Sequence, residues 1–216
     1  MSDERKIGFF GLMKSFDSAE SVFEHMPGGG ARASIKHEVM NGMTIDQLIW
    51  WFHNFDQRTT FNGVDFTGGE IDCYKLWHPH DHIKVSWEKR LLNYEGHILP
   101  GSVIHIRESF GGFSINDRSR ITQFDRDAFN FEMGILGLKI GHLLHLYEEV
   151  DFGVKYYTEL EIKCRAPIVG RFITWIACRF FATEPMMRAW MVHNVEEVGE
   201  SEKFIPQLYS DAMSGA

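Results

Sequence analysis

The chain has 216 residues, a length closer to one domain with extensions than to two complete domains. Hydrophobic residues make up 44% of it and charged residues 24%, which excludes a disordered or low-complexity chain. The formal net charge of −8 argues against nucleic acid or an anionic membrane surface as the principal partner. The unusual feature is histidine: there are 11, and three of them lie between residues 78 and 82.

Cysteine usage and hydropathy favour a cytoplasmic protein. The three cysteines form neither a CxxC pair nor an even disulfide set. No segment approaches the roughly 18 consecutive apolar residues of a membrane span, and the charged start does not resemble a signal peptide. We therefore expect a cytoplasmic protein without a nucleic-acid or membrane partner. The sequence leaves the oligomeric state open, with a homodimer as one candidate.

The first patterned element of the chain is a helix. Residues 1–34 are interpreted as an N-terminal leader that ends in a flexible glycine joint, and residues 35–216 as a single domain. Thr44 and Gln47 form a capping box, and apolar residues at helical spacing continue to about His53.

A strand-rich middle and a helical end complete the plan. The predicted strands lie near residues 71–78, 83–88, 101–110, 129–136, 140–150 and 153–163. Short turns, Asn116-Asp117 among them, separate these strands and favour an antiparallel meander. Helical spacing returns from Ile168 to about Val198, with Thr183 as a helix N-cap and Pro185 restarting the helix. The fold class is therefore α+β.

The terminal helix carries the strongest candidate site. His193 and Glu197 are four residues apart and project from one helical face, a geometry by which one helix supplies two metal ligands. Trp190 lies on the same stripe, which indicates an interior direction. The competing interpretation is an exposed His–Glu pair, the commoner meaning of this spacing.

Glu108 and His145 are further candidates within the strands. Strand alternation places Glu108 on the same face as Ile106 and Phe110, so its carboxylate shares an apolar face and needs a cation. That cation is either an arginine or a metal. His145 lies between Leu144 and Leu146, so it points either into a cavity or to the outer face.

A histidine-rich string follows the first of these strands, Tyr74-Lys-Leu-Trp-His-Pro-His-Asp-His82. Neutral imidazole is a common ligand of zinc and related ions, so one or two of these histidines could complete a site with Glu108 and the helical pair. The proline makes the strand phase ambiguous. The sequence pattern therefore does not choose between His78 and His82.

These motifs together resemble one known family. The segment MTIDQLIWWF at residues 43–52, the string YKLWHPHDH at 74–82, the Glu108 strand and the terminal HxxxE are similar, in that order, to the 2,4-diacetylphloroglucinol hydrolases and phloretin hydrolases. The resemblance covers about residues 25–200. It implies a helix-grip fold, like the Bet v 1 and START domains, in which a curved antiparallel sheet wraps a long C-terminal helix.

The resemblance also implies a zinc site and an activity. The zinc ligands would be Glu108, His193, Glu197 and the closing histidine of the string, His82, with His78 as the substitute. Tyr74 would contact a substrate phenol, and His145 would act on substrate or water; His78, if it is not a ligand, joins them as a catalytic group. The reaction would hydrolyse the carbon–carbon bond between an acyl group and a polyhydroxylated aromatic ring of a small aromatic ketone.

Two alternatives belong to other functional classes. One is a non-enzymatic helix-grip protein that binds a hydrophobic ligand while its histidines have no chemical role. The other is a metal-free polyketide-tailoring enzyme that uses the same cavity. Zinc content separates both of them from the hydrolase.

Overall fold

Most of the chain alternates apolar and polar residues between short turns, and the computed structural model joins these segments in one large sheet. The structure describes residues 5–135 and 137–215. The strands are β1 Ile7–Gly8, β2 Gly11–Leu12, β3 Glu20–His25, β4 Ala31–Lys36, β5 Met40–Asn41, β6 Arg58–Thr59, β7 Ile71–Asp72, β8 His82–Lys89, β9 Val103–Phe110, β10 Phe113–Phe124, β11 Ala128–Ile135, β12 Leu138–Val150 and β13 Gly153–Ile162. The helices are α1 Ile45–Asn54, α2 Cys73–Trp77, α3 Gly170–Ile176 and α4 Glu184–Ser214, with a 3-10 turn at Phe16–Ser18 and a π-helical turn at Ala177–Phe181.

Within the described residues, the main sheet has nine antiparallel strands and curves around α4. Its order is β3-β4-β13-β12-β11-β10-β9-β8, with β5 also paired to β13. Helix α4 contacts β3, β4 and β5 at one side and β9 near the other, so the sheet curves around the helix. This arrangement is a helix-grip fold, and it confirms the predicted α+β class.

Helix α1 forms as its sequence predicts. The Thr44 side chain accepts a hydrogen bond from the Gln47 backbone N–H, and the Gln47 side chain accepts one from the Thr44 backbone N–H, which satisfies two donors at the helix start. The buried face then packs into an aromatic core. Trp51 and Phe52 both make edge contacts with the Trp77 ring.

The boundary at residue 34 is wrong, because the chain joins the sheet before it. Strands β3 and β4 are a hairpin of the main sheet, and β4 pairs with β13. The glycine run between them is the hairpin turn, in which Met26 N–H donates to the Gly30 carbonyl and all three glycines have positive φ. The alternation of apolar and polar residues over positions 31–36 was the sequence signal that the leader interpretation missed, and it matches the alternating burial of β4.

Two local predictions in the middle of the chain are also wrong. Residues 73–77 form α2 and not a strand, because the turn of helix lets Tyr74 and Trp77 both reach the core. Asn116 and Asp117 lie inside β10, where they pair with Arg107 and Ile106 of β9. The hairpin between β9 and β10 turns instead at Gly111 and Gly112, which adopt positive φ.

The C-terminal helical region divides where Thr183 predicts. The Thr183 hydroxyl accepts a hydrogen bond from the Met186 N–H, and α4 then continues to Ser214, beyond the expected end near Val198. Before this cap, α3 and the π-helical turn form one continuous helical segment, residues 170–181, called the aromatic helix below. Within the described residues, no helix combines the length and apolarity needed to cross a bilayer.

Candidate metal centre and cavity

Three parts of the fold bring four donor side chains together inside the sheet. His82 begins β8, Glu108 lies near the end of the neighbouring β9, and these two residues are register partners. His193 and Glu197 come from one face of α4, which crosses the sheet at this point. Both imidazoles and the Glu197 side chain are buried, and the Glu108 side chain is 13% exposed.

The donor atoms of His82, His193 and Glu197 lie within 4.8 Å of one another, and Glu108 approaches both imidazoles. The Nε2 atom of His82 lies 3.0 Å from a Glu197 carboxylate oxygen and 3.8 Å from Glu108 Oε1. The Nε2 atom of His193 lies 3.8 Å from an oxygen of each carboxylate. Donors about 2.0–2.2 Å from a tetrahedral zinc ion stand about 3.3–3.6 Å apart, so these separations suit such an ion after small adjustments.

The opposite ring nitrogens fix how the two imidazoles are oriented. His82 Nδ1 lies 2.7 Å from the Tyr74 carbonyl oxygen, and His193 Nδ1 lies 3.0 Å from Asp81 Oδ2. Since a carbonyl and a carboxylate accept hydrogen bonds, each Nδ1 carries the proton and each Nε2 presents its lone pair to the centre. The buried Nε2 of His193 has no hydrogen-bond partner among the described residues. An outer hydrogen bond with a free inner nitrogen is the usual arrangement of a metal-bound histidine.

His78 is buried beside the centre but is bonded differently. Its Nδ1 accepts a hydrogen bond of 3.1 Å from the Asp81 backbone N–H, so its Nε2 carries the proton. That Nε2 lies 3.1 Å from Glu196 Oε2 and 3.3 Å from Asp81 Oδ2. Lys6 binds both of these carboxylates at 2.8 Å. The His78 ring therefore belongs to an ion-pair network behind His193.

Burial without a counter-ion perturbs every donor in the centre. Burial raises the pKa of Glu108 to about 7 and the pKa of Glu197 to about 8. Burial lowers the pKa of His82 to about 4 and the pKa of His193 to about 3. Burial opposes the negative charge of Glu108 and Glu197, and a divalent ion bound between them and the two neutral imidazoles would stabilise their charged forms.

Each carboxylate also has a supporting hydrogen bond. The Tyr74 hydroxyl donates to Glu108, and the Tyr74 ring stacks on His82 with centroids 3.6 Å apart. The Asn194 side-chain amide donates to Glu197 at 2.5 Å. The Asn194 carbonyl oxygen accepts a hydrogen bond from the Thr158 hydroxyl, so this amide is held from both sides.

A cavity of about 130 Å³ lies beside the four donors. Aromatic and aliphatic side chains form most of its wall, and polar groups are few. Glu108, His193 and Glu197 lie in the wall, together with Tyr74 and His145. A cavity of this size and composition suits a small, largely apolar ligand with a few polar substituents.

His145 takes the inward one of its two predicted directions. It is 5% exposed, and its ring packs among Phe52, Phe129 and Phe131. Its Nδ1 lies 2.9 Å from the Tyr156 hydroxyl. Burial lowers the pKa of His145 to about 3, so the ring is neutral at physiological pH.

The structure thus gathers the candidate residues of the sequence around one cavity, with His78 placed just behind it. Sequence reasoning missed Asp81, Lys6 and Asn194, which hold the candidate ligands in place. Asp81 and Asn194 lie in the very motifs already singled out, next to His82 and His193, and could have been considered as supporting groups. Lys6 carries no sequence signal, because its contacts join residues far apart in the chain.

Comparisons with known proteins give distant structural likenesses. No family model and no curated protein matches the chain. Protein Ms6760 from Mycobacterium smegmatis is 11% identical, with a TM-score of 0.44 over 83% of this chain and 96% of that one. CalU16 from Micromonospora echinospora is 11% identical, with a TM-score of 0.37 over 86% and 96%. The Polyketide_cyc-like protein Cgl2372 from Corynebacterium glutamicum is 11% identical, with a TM-score of 0.36 over 90% and 94%. Likenesses of this degree carry no information about chemistry.

Proposed function

We propose that this helix-grip protein binds a small aromatic ketone in its cavity and hydrolyses it with the help of a divalent metal ion, with zinc as the first candidate. The observation that carries the proposal is the pair of imidazole Nε2 atoms that face two carboxylates inside an apolar cavity. A buried, unpartnered nitrogen such as His193 Nε2 is costly unless something binds it. A metal ion held by His82, Glu108, His193 and Glu197 would meet that need.

The donor chemistry fits zinc, and the position of His82 beside Glu108 and Glu197 supports it over His78 as the fourth ligand. Nitrogen and carboxylate oxygen donors suit zinc, although iron, cobalt and manganese accept the same atoms. His82 directs its Nε2 at Glu197 and Glu108, whereas the ring nitrogens of His78 bond Glu196 and the Asp81 backbone N–H. His78 is then a supporting residue within the Lys6 network.

The proposed reaction splits the bond between an acyl carbon and a carbon of a polyhydroxylated ring. Water contributes its hydroxyl to the acyl carbon and a proton to the ring carbon, giving a carboxylic acid and the deacylated phenol. A bound zinc ion would act as a Lewis acid on the ketone oxygen or lower the pKa of a water molecule. The protein's task is to place the ketone and to supply the proton to the ring.

Two cavity residues suit the ring hydroxyls. Tyr74 and His145 both line the cavity, and each has a polar group that can bond a phenol. Such bonds favour the keto tautomer, in which the ring carbon accepts the electron pair of the broken bond more readily. His145 is neutral, so its imidazole can accept one hydrogen bond and donate another at the ring or at water. The aromatic wall excludes bulk water from the rest of the substrate.

A second candidate function is metal-free binding or tailoring of a polyketide-like ligand in the same cavity. The observation that favours it is the mostly apolar wall, which would hold such a ligand without a metal. Both candidates predict an occupied cavity, so metal content separates them.

The deciding experiment measures metal content and turnover together. Purified, chelator-free protein should hold one equivalent of zinc or a related divalent ion by elemental analysis, and His193→Ala should lose it. Incubation with acylphloroglucinols or phloretin-like ketones should release the acid and the deacylated ring. His105→Ala is the matched control, because His105 lies outside the cavity, where it bonds Asn116.

Three results would count against the hydrolase. A metal content far below one equivalent in the wild type, unchanged by His193→Ala, leaves only the metal-free candidate. Bound metal without turnover of any acylated phenol retains the metal site and removes this substrate class. Turnover that survives complete metal removal contradicts the assigned role of the four donors.

A further inference from the structure

The aromatic helix has the opposite polarity to an ordinary surface helix. Its buried positions are small, with Gly170, Thr174 and Ala177 facing the protein. Its large side chains point outward, and Phe172, Trp175, Phe180 and Phe181 are between 58% and 65% exposed. Large apolar side chains gathered on one exposed surface mark an interaction site.

The exposed rings form one connected patch. The Phe172 and Trp175 rings are stacked with centroids 6.1 Å apart, and Trp175 meets Phe180 edge-on at 6.2 Å. Ile168, just before the helix, is fully exposed and extends the apolar surface. Rings that touch each other and still face outward leave a continuous apolar area in contact with water.

The charge of this region is opposite to the charge of the chain as a whole. Residues 163–183 contain Lys163, Arg165, Arg171 and Arg179 and no acidic residue, although the protein carries a net charge of −8. Arg171 and Arg179 form no ion pair with any described residue, and the Arg179 guanidinium lies 5.5 Å from the Phe180 ring centroid. The region therefore combines exposed aromatic rings with unpaired cations.

We infer that the aromatic helix docks on the surface of an anionic lipid bilayer. Phe and Trp side chains with neighbouring arginines are the composition of helices that lie in a membrane interface, where the rings enter the headgroup region and the cations meet lipid phosphates. The dimensions of the helix suit lying on a bilayer and not crossing it. The sequence-wide charge favoured no membrane partner, but it averages over this local cationic surface.

A second copy of the chain is a poorer occupant. In a two-fold dimer built on this patch, Arg171 and Arg179 would approach the same residues of the other copy, and like charges would repel. Contact between the patch and an acidic face of another copy would be heterologous and would build rings or open chains. An anionic bilayer satisfies the arginines and the rings at once.

Docking here would bring the lipid close to the cavity. Ala177 and Ala182 pack in the same core cluster as Leu160, Ile162 and Met186. These last three residues also line the cavity. A hydrophobic ligand dissolved in the bilayer would therefore lie one layer of side chains from its binding site, whether or not a metal takes part.

The test is co-sedimentation of the full-length protein with vesicles. Wild type should pellet with vesicles of mixed phosphatidylcholine and phosphatidylglycerol, and much less with phosphatidylcholine alone. The double variant Arg171→Gln and Arg179→Gln should bind about 30-fold more weakly, at about 1 kcal/mol per cation. The double variant Phe172→Ser and Phe180→Ser should bind at least about tenfold more weakly.

Matched controls carry the same changes elsewhere on the surface. The side chain of Arg118 is 67% exposed and Tyr94 is 95% exposed, and both residues lie outside the aromatic helix. The variants Arg118→Gln and Tyr94→Ser should therefore bind vesicles like wild type. Two measurements need no variant: high salt should weaken binding, and the total fluorescence of the six tryptophans, of which Trp175 is exposed, should shift to shorter wavelength with anionic vesicles.

Several outcomes would overturn the inference. Wild type that stays in the supernatant with anionic vesicles, or binds both vesicle types equally, removes the proposed lipid surface. A dimer in sedimentation velocity that Phe172→Ser and Phe180→Ser dissociate, without vesicle binding, assigns the patch to a second copy. Controls that weaken binding as much as the arginine variants show a non-specific charge effect and also refute it.

Discussion

The interior centre and the aromatic helix invert the usual polarity of a folded protein in opposite directions. The centre places two carboxylates and two imidazoles inside the sheet, where burial opposes charge. The aromatic helix places four large rings outside, where water opposes apolar surface. Each arrangement costs free energy in the isolated chain. A divalent ion would offset the cost at the centre, and an apolar binding surface would offset it at the aromatic helix.

The two regions also differ in how firmly they are held. Tyr74, Asp81 and Asn194 form hydrogen bonds with the four donor side chains of the centre. These bonds orient the donor side chains without any bound ion. On the outward side of the aromatic helix, Phe172 stacks on Trp175, and Trp175 meets Phe180 edge-on. Preorganisation suits a site for a small ion, whereas a surface that meets a fluid bilayer needs composition more than geometry.

The largest expected effect compares a buried ring with an exposed one. Phe129 is 1% exposed and packs against Phe52 and Phe124, so Phe129→Ala should lower the free energy of unfolding by about 3–5 kcal/mol. Phe172→Ala should change it by less than about 0.5 kcal/mol, because Phe172 is exposed. Urea denaturation measures both. Similar losses of unfolding free energy in the two variants would mean that Phe172 is packed in solution and not exposed.

The next effect concerns the strand ligand. Glu108→Gln removes one charged donor and should weaken zinc binding by more than about 100-fold, since even supporting residues are worth about 10–100-fold. Glu148→Gln is the matched control on the exposed side of β12 and should leave affinity unchanged. Competition titration with a chelator measures both affinities. Equal effects of the two substitutions would contradict the assignment of Glu108.

Asp81→Asn tests the support of His193 and should have a smaller effect. The carboxylate accepts hydrogen bonds from His193 and Lys6, and these lower its pKa although burial opposes that shift. An amide of the same size orients the imidazole less strongly, so zinc affinity should fall about 10–100-fold. Asp151→Asn, in the exposed turn before β13, is the control. If Asp81→Asn binds zinc like wild type, the outer hydrogen bond does not position His193.

The smallest effect, taken over a single pH unit, is a pH dependence of stability that comes from His145. Burial lowers its folded pKa to about 3 from an unfolded value near 6.5, so below pH 6.5 the unfolded state binds more protons. Stability should therefore fall as pH drops from about 6.5 towards 3, by at most about 1.4 kcal/mol per pH unit for this group. His145→Gln should reduce that slope in denaturation curves at several pH values.

His37 is the internal reference for this measurement. Burial also lowers the pKa of His37 to about 3, so His37→Gln should remove a similar part of the slope without touching the cavity wall. Equal slopes between pH 6.5 and 4 in wild type and both variants would show that neither histidine is buried as the structure has it.

Local signals in the sequence predicted the elements they belong to. The Thr44 capping box and the Thr183 cap depend on neighbours in the chain, and both helices begin where those residues stand. Alternation in β9 placed Glu108 correctly beside Ile106 and Phe110 on the cavity side. The terminal His193–Glu197 spacing indicated one helical face for the same reason.

Signals that depend on distant partners gave wrong or open answers. The strand phase around the histidine string could not be assigned, because residues 73–77 turn as a helix whose contacts lie in α4 and β8. The leader boundary was wrong because β4, which contains residue 34, pairs with β13, a strand more than 100 residues later in the chain. Both errors come from pairing that no window of sequence contains.

The sequence by itself determined the two capped helices, the inward face of β9 and the residue types capable of binding a metal, because these follow from local capping, periodicity and side-chain chemistry. Only the tertiary structure decided that His82 and not His78 faces Glu108 and Glu197. The Tyr74 carbonyl sets the tautomer of His82, and the Asp81 backbone N–H sets that of His78. The tertiary structure alone placed Lys6 behind His193 and turned the rings of residues 170–181 outward. The reason is physical: hydrogen-bond partners and burial are properties of the folded chain, and composition records neither.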